Sequence, residues 1–409
     1  MNLTNAAVLA RGFCVNLTGK PCAAVLVATQ EVKEKVIPQT AMLIDAAPDE
    51  NDECIAGKFQ AAYSGWKAKN AVSLKAGEVL APGCIAVCAN GTAQALVWID
   101  DELDAARRRR DDANAAPVTK SSAACGAELD TAQRSDVVKN RIDLVTDGAQ
   151  GIGEEIVRNL TAAGALVFIA DLNLAGAEKL AAEINAVEKR TAAVPIKVNV
   201  SDEASVEAMF NTIAETAGGL DLCVSNAGVL KAGSMLEQPV SEFRFVTDIN
   251  YTGFYIISKY AARLLAAQHL SAPDWMTDII EINSKSGLEG SNKNAAYSGG
   301  KFGGLGLVAS FAMELVEYNI KVNAICPGNF LNGPLWSDPE KGLFVQYLKA
   351  GKVKNAKTVA DVRSYYEGKV PMKRGCTGKD VMRALYYIVE QEYETGQAVP
   401  VTGGQVMLH

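Results

Sequence analysis

The segment from Arg141 to Asp171 constrains the fold of this chain more than any other. Arg141-Ile142-Asp143-Leu144-Val145-Thr146 is apolar and β-prone, and Asp147-Gly148-Ala149-Gln150-Gly151-Ile152-Gly153 follows as a glycine-rich turn. Glu154 to Ala163 reads as a helix that Gly164 ends, and Ala165 to Asp171 reads as a second strand closing on an acid. In a strand–turn–helix–strand unit of this kind the backbone approaches a pyrophosphate and the helix N-terminus faces it. Asp171 would accept hydrogen bonds from the adenosine ribose hydroxyls and repel a 2′-phosphate, so the pattern predicts NAD rather than NADP.

The alternation continues downstream. Val194 to Val200 reads as a strand, Ala204 to Ala217 as a helix, and Leu220 to Ser225 as a strand followed by Asn226-Ala227-Gly228. This predicts an α/β, Rossmann-type, doubly wound parallel sheet with helices on both faces. Further on, Ser284 follows the strand-like run Ile279-Ile280-Glu281-Ile282, and Tyr297 and Lys301 stand four apart. On a helix that spacing puts both side chains on one face. A free tyrosine titrates near about 10, too high for a base at neutral pH. A lysine beside it favours the phenolate, and a serine hydroxyl can orient the oxygen that gains or loses the proton. The set suits proton transfer on an alcohol or a carbonyl.

From about Lys139 to His409 the chain resembles the short-chain dehydrogenase/reductase family. The family's glycine turn matches Thr146 to Gly153, its Asn-Ala-Gly matches Asn226 to Gly228, and its helix asparagine matches Asn250. Its serine, tyrosine and lysine match Ser284, Tyr297 and Lys301, and its Pro-Gly matches Pro327-Gly328. The resemblance implies a nicotinamide cofactor at Thr146, Gly148, Gln150, Gly151, Ile152, Gly153, Asp171, Asn199, Val200, Asn226, Ala227, Gly228, Tyr297, Lys301, Pro327 and Gly328. It also implies roles for the catalytic set. Tyr297 moves the proton, Lys301 holds the ribose hydroxyls and lowers the tyrosine pKa, Ser284 positions the substrate oxygen, and Asn250 holds a relay water.

Four stretches resemble the polyol-phosphate branch of the family: Ile282 to Gly287, Tyr297 to Gly304, Val370 to Cys376 and Val401 to Met407. They imply an NAD-dependent interconversion of a polyol phosphate and a ketose phosphate, with sorbitol 6-phosphate and fructose 6-phosphate as the best pair. Another polyol or sugar is the alternative. Asp147 departs from the family's first glycine. Asp tolerates left-handed backbone better than most residues, but its charge would lie near the cofactor phosphates. A cofactor-impaired binding or scaffold protein is therefore the third reading. Asn199 replaces a usual aspartate and Asn332 a frequent threonine. A substrate phosphate needs cations, and Lys231, Lys285, Lys293, Lys373 and Arg374 are the candidates, Lys285 and Lys293 foremost. Gly299, Gly300, Gly303, Gly304 and Gly306 crowd the Tyr297 helix, which predicts close approach by another backbone or the cofactor, in a homodimer or homotetramer.

Residues 1–112 read as a separate α+β module of unknown role, with strands at Ala23 to Ala28, Ala71 to Leu74, Cys84 to Ala89 and Ala95 to Asp100. Helices are expected at Ala56 to Ala68 and Leu103 to Arg110. Residues 113–138 read as a linker, and 139–409 as the dehydrogenase domain. The net charge of −7 argues against nucleic acid and anionic membranes as partners. Only two histidines, His269 and His409, are present, so neither a histidine triad nor a histidine-rich metal centre is expected. Nine scattered cysteines, no apolar run of membrane length and no signal-peptide pattern lead us to expect a cytoplasmic enzyme with free thiols. Arg107 to Arg110, followed by Asp111 and Asp112, reads as a solvated helix end.

Overall fold

The computed structural model describes residues 3–28, 41–46, 50–70, 78–89, 92–111, 118–121, 131–340, 342–349, 351 and 353–407 of the chain. The expected strand at Ala71 to Leu74 lies outside them. The N-terminal strands are β1 (Ala23–Ala28), β2 (Met42–Asp45), β3 (Glu78–Ala81), β4 (Cys84–Ala89), β5 (Thr92–Asp100) and β6 (Val118–Ser121). Four of them form a sheet in the order β1-β5-β4-β2, antiparallel except for the β2–β4 pair. β3 and β6 pair separately, so part of the stretch read as a linker is a strand, and Thr131–Val138 is a 3-10 helix. Helices Asp52–Lys69 and Leu103–Asp111 lie where they were expected; Leu3–Thr18 is a helix that the sequence analysis does not contain. Phe13 packs on Phe59 and Tyr63, with ring centroids 5.6 Å apart in both pairs. Arg107, Arg109 and Arg110 pair with Asp104, Asp100 and Asp111 at the helix end.

The larger sheet has seven parallel strands: β7 (Ile142–Thr146), β8 (Leu166–Asp171), β9 (Ala193–Lys197), β10 (Leu222–Ser225), β11 (Thr277–Ile282), β12 (Ile320–Pro327) and β13 (Ala398–Val401). Their order is β13-β12-β11-β10-β7-β8-β9. This is a doubly wound, Rossmann-like sheet. β7, β8, β10, β11 and β12 are buried along their whole lengths, which is why they are near-continuous apolar runs in sequence. Leu144 and Phe168 face one apolar layer with Phe210 and Ile257, whereas Val145 and Ile169 face the other with Val157 and Leu385. From β7 the chain winds outward through β8 and β9, then returns to β10 on the other side of β7. The carboxyl ends of β7 and β10 therefore flank a topological switch point, where such sheets bind ligands.

The N-terminal module shares core with this sheet. Ala23, Val25, Leu103 and Ala106 belong to the apolar layer of Leu144 and Phe168. Arg11, fully buried, donates from Nη2 to Asp221 Oδ2 at 2.7 Å, from Nη1 to Gln268 Oε1 at 2.7 Å and from Nε to the Cys22 carbonyl at 2.6 Å. Asp221 also accepts from the Ile142 amide and from Trp275 Nε1. Among the described residues no helix is long and apolar enough to cross a membrane.

Candidate active site

The site lies at the carboxyl ends of β7, β8, β10 and β11. Asp147 begins the turn after β7 with φ of 50°, left-handed as its short polar side chain permits. Gly151, also left-handed, starts helix Gly151–Ala162, and a Cβ built on it would meet nothing closer than Pro334 at 3.8 Å. Gln150 at the N-cap makes no side-chain capping bond. Open space and uncapped amides therefore face the same crevice, a cradle that fits a pyrophosphate. Gly153 has no such freedom: a Cβ there would lie 2.1 Å from the Asp147 carbonyl and 2.7 Å from Asn226 Nδ2. Gly148 is buried, and Ile152 is half-buried against the layer of Val157.

The neighbouring loop is tied to this turn. Asn226 and Ala227 donate their amides to Thr146 Oγ1 at 2.9 and 3.0 Å, and Asn226 Nδ2 donates to the Thr146 and Asp147 carbonyls. A Cβ built on Gly228 would meet Asn250 and Asn226, none closer than 3.7 Å. At the end of β8, Asp171 is buried and accepts from the Ala149 and Asn173 amides at 3.0 and 2.8 Å. Burial, with Asp171 nearby, pushes the Asp147 carboxyl up to about 6. Asn199 spends its side-chain oxygen on Ser201, accepting from the amide and the hydroxyl, while Val200 is buried against Gly253. Pro327 ends β12, and Gly328 donates to the Val401 carbonyl across to β13. Asn332 accepts from Arg363 Nη2 at 2.6 Å.

Tyr297, half-buried, and Lys301, buried, lie on helix Ala295–Leu315. Lys301 Nζ donates to the Ile282 carbonyl at 2.7 Å and stands 3.5 Å from Glu281 Oε1. Asn283 Nδ2 donates to Glu281 Oε2 at 2.7 Å and to the Lys301 carbonyl at 2.9 Å, while Asn283 Oδ1 accepts from the Ser284 amide at 2.8 Å. One buried pair of side chains thus fixes both Ser284 and Lys301. Burial raises the Glu281 pKa, opposed by Lys301 and Asn283. Neither residue belongs to the motifs read from the sequence, although an acid inside the apolar run Ile279 to Ile282 is a detectable signal. Ser284 Oγ accepts from the Ser286 amide at 3.1 Å.

Asn250 sits in a π-helical turn, Asp248–Thr252, a device common at functional sites. Its Oδ1 accepts from the Val229 amide at 2.8 Å and its Nδ2 donates to the Val229 carbonyl at 2.9 Å, so its carboxamide is engaged at both ends. The glycines of the Tyr297 helix divide. Cβ atoms on Gly300, Gly303 and Gly304 would meet Asn250, Tyr251 and Glu281 of this same chain, whereas those on Gly299 and Gly306 would meet nothing within 4 Å. Contacts inside the chain account for the first three, which the sequence analysis assigns to another backbone or the cofactor.

A profile of the short chain dehydrogenase family matches residues 141–339. Sorbitol-6-phosphate 2-dehydrogenase of Escherichia coli is 34% identical over 270 residues, covering 66% of this chain and 99% of that protein. The crystal structure of sorbitol-6-phosphate 2-dehydrogenase from Erwinia amylovora is 38% identical with a TM-score of 0.60, covering 65% of this chain and all of that one. Trans-4-hydroxycyclohexanecarboxylate dehydrogenase of Sinomonas cyclohexanicum is 31% identical over 277 residues, 66% of this chain and 95% of that protein. A polyketide ketoreductase solved with NADPH shares the fold at 25% identity and a TM-score of 0.57. The N-terminal module lies outside these matches. With that profile, and relatives matched over nearly their whole lengths, the chain belongs to the short-chain dehydrogenase family and is an oxidoreductase of that type.

Proposed function

We propose that the protein is an NAD-dependent dehydrogenase interconverting sorbitol 6-phosphate and fructose 6-phosphate in the cytoplasm. The observation that carries the substrate reading is the match, over nearly their full lengths, to two proteins named sorbitol-6-phosphate 2-dehydrogenase. Thr146, Gly148, Gln150, Gly151, Ile152 and Gly153 hold the cofactor with Asn199, Val200, Asn226, Ala227, Gly228, Pro327 and Gly328. Asp171 takes the adenosine ribose. A bound nicotinamide would supply the acceptor for the hydride that leaves the carbinol carbon. Tyr297 takes the C2 hydroxyl proton through its phenol oxygen, and Ser284 orients that oxygen. Lys301, anchored by the Ile282 carbonyl and Glu281, offers its remaining donor capacity to the ribose hydroxyls. Asn250 serves the relay through its main chain, since its carboxamide is committed to Val229.

Two carboxylates stand near the ribose pocket, and a 2′-phosphate would add a dianion beside them. That supports NAD over NADP. Exposed Tyr255, Phe302 and Met313 on helices Gly253–His269 and Ala295–Leu315 support a homodimer or homotetramer built on this face. A monomer by light scattering at micromolar concentration overturns the assembly. The test of function is NADH formation with a panel of polyols and their phosphates. Turnover confined to unphosphorylated polyols would replace the substrate, and neither turnover nor NADH binding would return the scaffold reading.

A further inference from the structure

A phosphorylated substrate brings a dianion to an acidic chain, so the site needs local positive charge. Five cations surround it in sequence, and three are already committed. Lys285 Nζ lies 3.6 Å from Glu289 Oε1, and Lys373 Nζ donates to the Gly368 carbonyl at 3.0 Å. Arg374 donates two hydrogen bonds to Asp380, at 2.6 and 2.9 Å, and Asp380 itself closes the capping box of helix Gly378–Glu390 with Thr377. Drawing Arg374 to a substrate would unmake that cap. Lys231 and Lys293 differ. Both are exposed, and neither side chain forms an ion pair among the described residues. One bond joins their loops, the Gly233 amide donating to the Lys293 carbonyl at 3.0 Å, and within the first loop Gln238 Nε2 donates to the Lys231 carbonyl at 3.0 Å.

Lys293 also precedes the N-terminus of the 21-residue helix that carries Tyr297. That helix has no acid in its first turn, and Asn294 at its N-cap makes no side-chain capping bond. The positive end of the helix is therefore neither capped by a side chain nor neutralised by an acid. Asn294 is itself buried, and its Oδ1 has no hydrogen-bond partner. It is an acceptor in want of a donor, which a polyol hydroxyl is. Tyr297 is the third residue of the helix, so positive charge, free acceptor and proton-transfer group share its first turn.

We infer that Lys231 and Lys293, at the open N-terminus of the Tyr297 helix, form the subsite for the substrate's terminal phosphate, with Asn294 accepting from a neighbouring hydroxyl. This rests on the polyol-phosphate reading above. The alternatives Lys285, Lys373 and Arg374 play no part in phosphate binding.

The test uses the purified full chain with sorbitol 6-phosphate and NAD. Lys231→Ala and Lys293→Ala should each raise KM about tenfold, and the double variant about a hundredfold, with kcat changed less than about twofold. Lys293→Arg should recover most of the loss. Inorganic phosphate should inhibit the parent competitively and the double variant more weakly. Lys373→Ala is the control and should leave KM unchanged. Unchanged KM in the double variant, with the parent active on sorbitol 6-phosphate, overturns the subsite and leaves the function standing. A rise in KM with Lys373→Ala equal to that of the lysine pair also overturns it. A parent inactive on every polyol phosphate overturns both.

Discussion

Asp147→Gly should stabilise the protein, and the gain should depend on pH. Asp147 replaces the family's first turn glycine, sits at φ of 50°, and has its carboxyl pushed from 3.8 up to about 6 by burial and by Asp171. That displacement corresponds to about 3 kcal/mol. The sign follows from linkage. A carboxyl whose folded pKa is raised binds its proton more tightly when folded. Its contribution is therefore complete below the unfolded value and is lost as pH climbs from about 4 to about 6. Above that window the parent carries the full cost, which glycine removes, and glycine also relieves up to about 1 kcal/mol of left-handed backbone strain at every pH. The variant should exceed the parent by about 4 kcal/mol at pH 7.5 and by about 2 kcal/mol at pH 4.5. Urea unfolding of both proteins at four pH values reads the difference, in which titrating groups remote from Asp147 cancel. A gap that stays constant between pH 4.5 and 7.5 refutes the reasoning. The variant should also bind NAD more tightly at pH 8 than the parent does, and unchanged binding would show that the carboxylate points away from the pyrophosphate.

Tyr297→Phe should lower turnover by about 10²–10⁴-fold while NADH binding by fluorescence titration stays near that of the parent, because only the phenol oxygen is removed; a variant of near-normal activity sinks the assignment. Asp171→Ala should shift the ratio of dissociation constants toward NADP, and an unmoved ratio would remove Asp171 from cofactor selection. Arg11→Met should cost about 3–5 kcal/mol in urea unfolding, since it strands the fully buried Asp221 carboxylate. A loss under about 1 kcal/mol would mean that water reaches Asp221 without Arg11.

The sequence made the large sheet legible because each of its central strands is buried on both faces. Such strands are largely apolar, and Asp147-Gly148, Asn226-Ala227-Gly228 and Pro327-Gly328 mark the ends of β7, β10 and β12. The small module was harder to read. β2 and β6 are four residues each, and β6 is held to β3 by a backbone ladder inside an Ala/Ser/Thr-rich stretch. Helix Leu3–Thr18 is apolar on most sides because it is buried between the small sheet and helices Glu203–Ala217 and Gly253–His269, so it shows no amphipathic stripe. In the site, residue type and spacing pointed to Ser284, Tyr297 and Lys301, but not to what fixes them. The Glu281–Asn283 pair works through a contact with Lys301, twenty positions after Glu281 in the chain. Arg374 shows the opposite limit. It reads as an anion-binding arginine until its fork is found on Asp380, whose place in a helix cap is a feature of folding alone.

Buried polar groups are found at both edges of the large sheet. At the carboxyl edge, polar groups are left with capacity: uncapped helix amides, a half-buried phenol, an unpartnered Asn294 oxygen. At the amino edge some are engaged and some are not, the buried Asp143 carboxyl having no hydrogen-bond partner among the described residues. Asp221 accepts from Arg11, Ile142 and Trp275, and Lys321 Nζ lies 2.8 Å from Asp278 Oδ1 and donates to the Ile388 and Gln391 carbonyls. A buried ion pair is weak grounds for stability in itself, because desolvation offsets much of its attraction. What Arg11 adds is register. Its guanidinium reaches Cys22, Gln268 and Asp221 together, and only one docking of the N-terminal helix satisfies all three. The module is therefore held to the dehydrogenase sheet at the edge away from the chemistry. There it can brace β7 and β10, the strands that flank the cofactor crevice, without entering it.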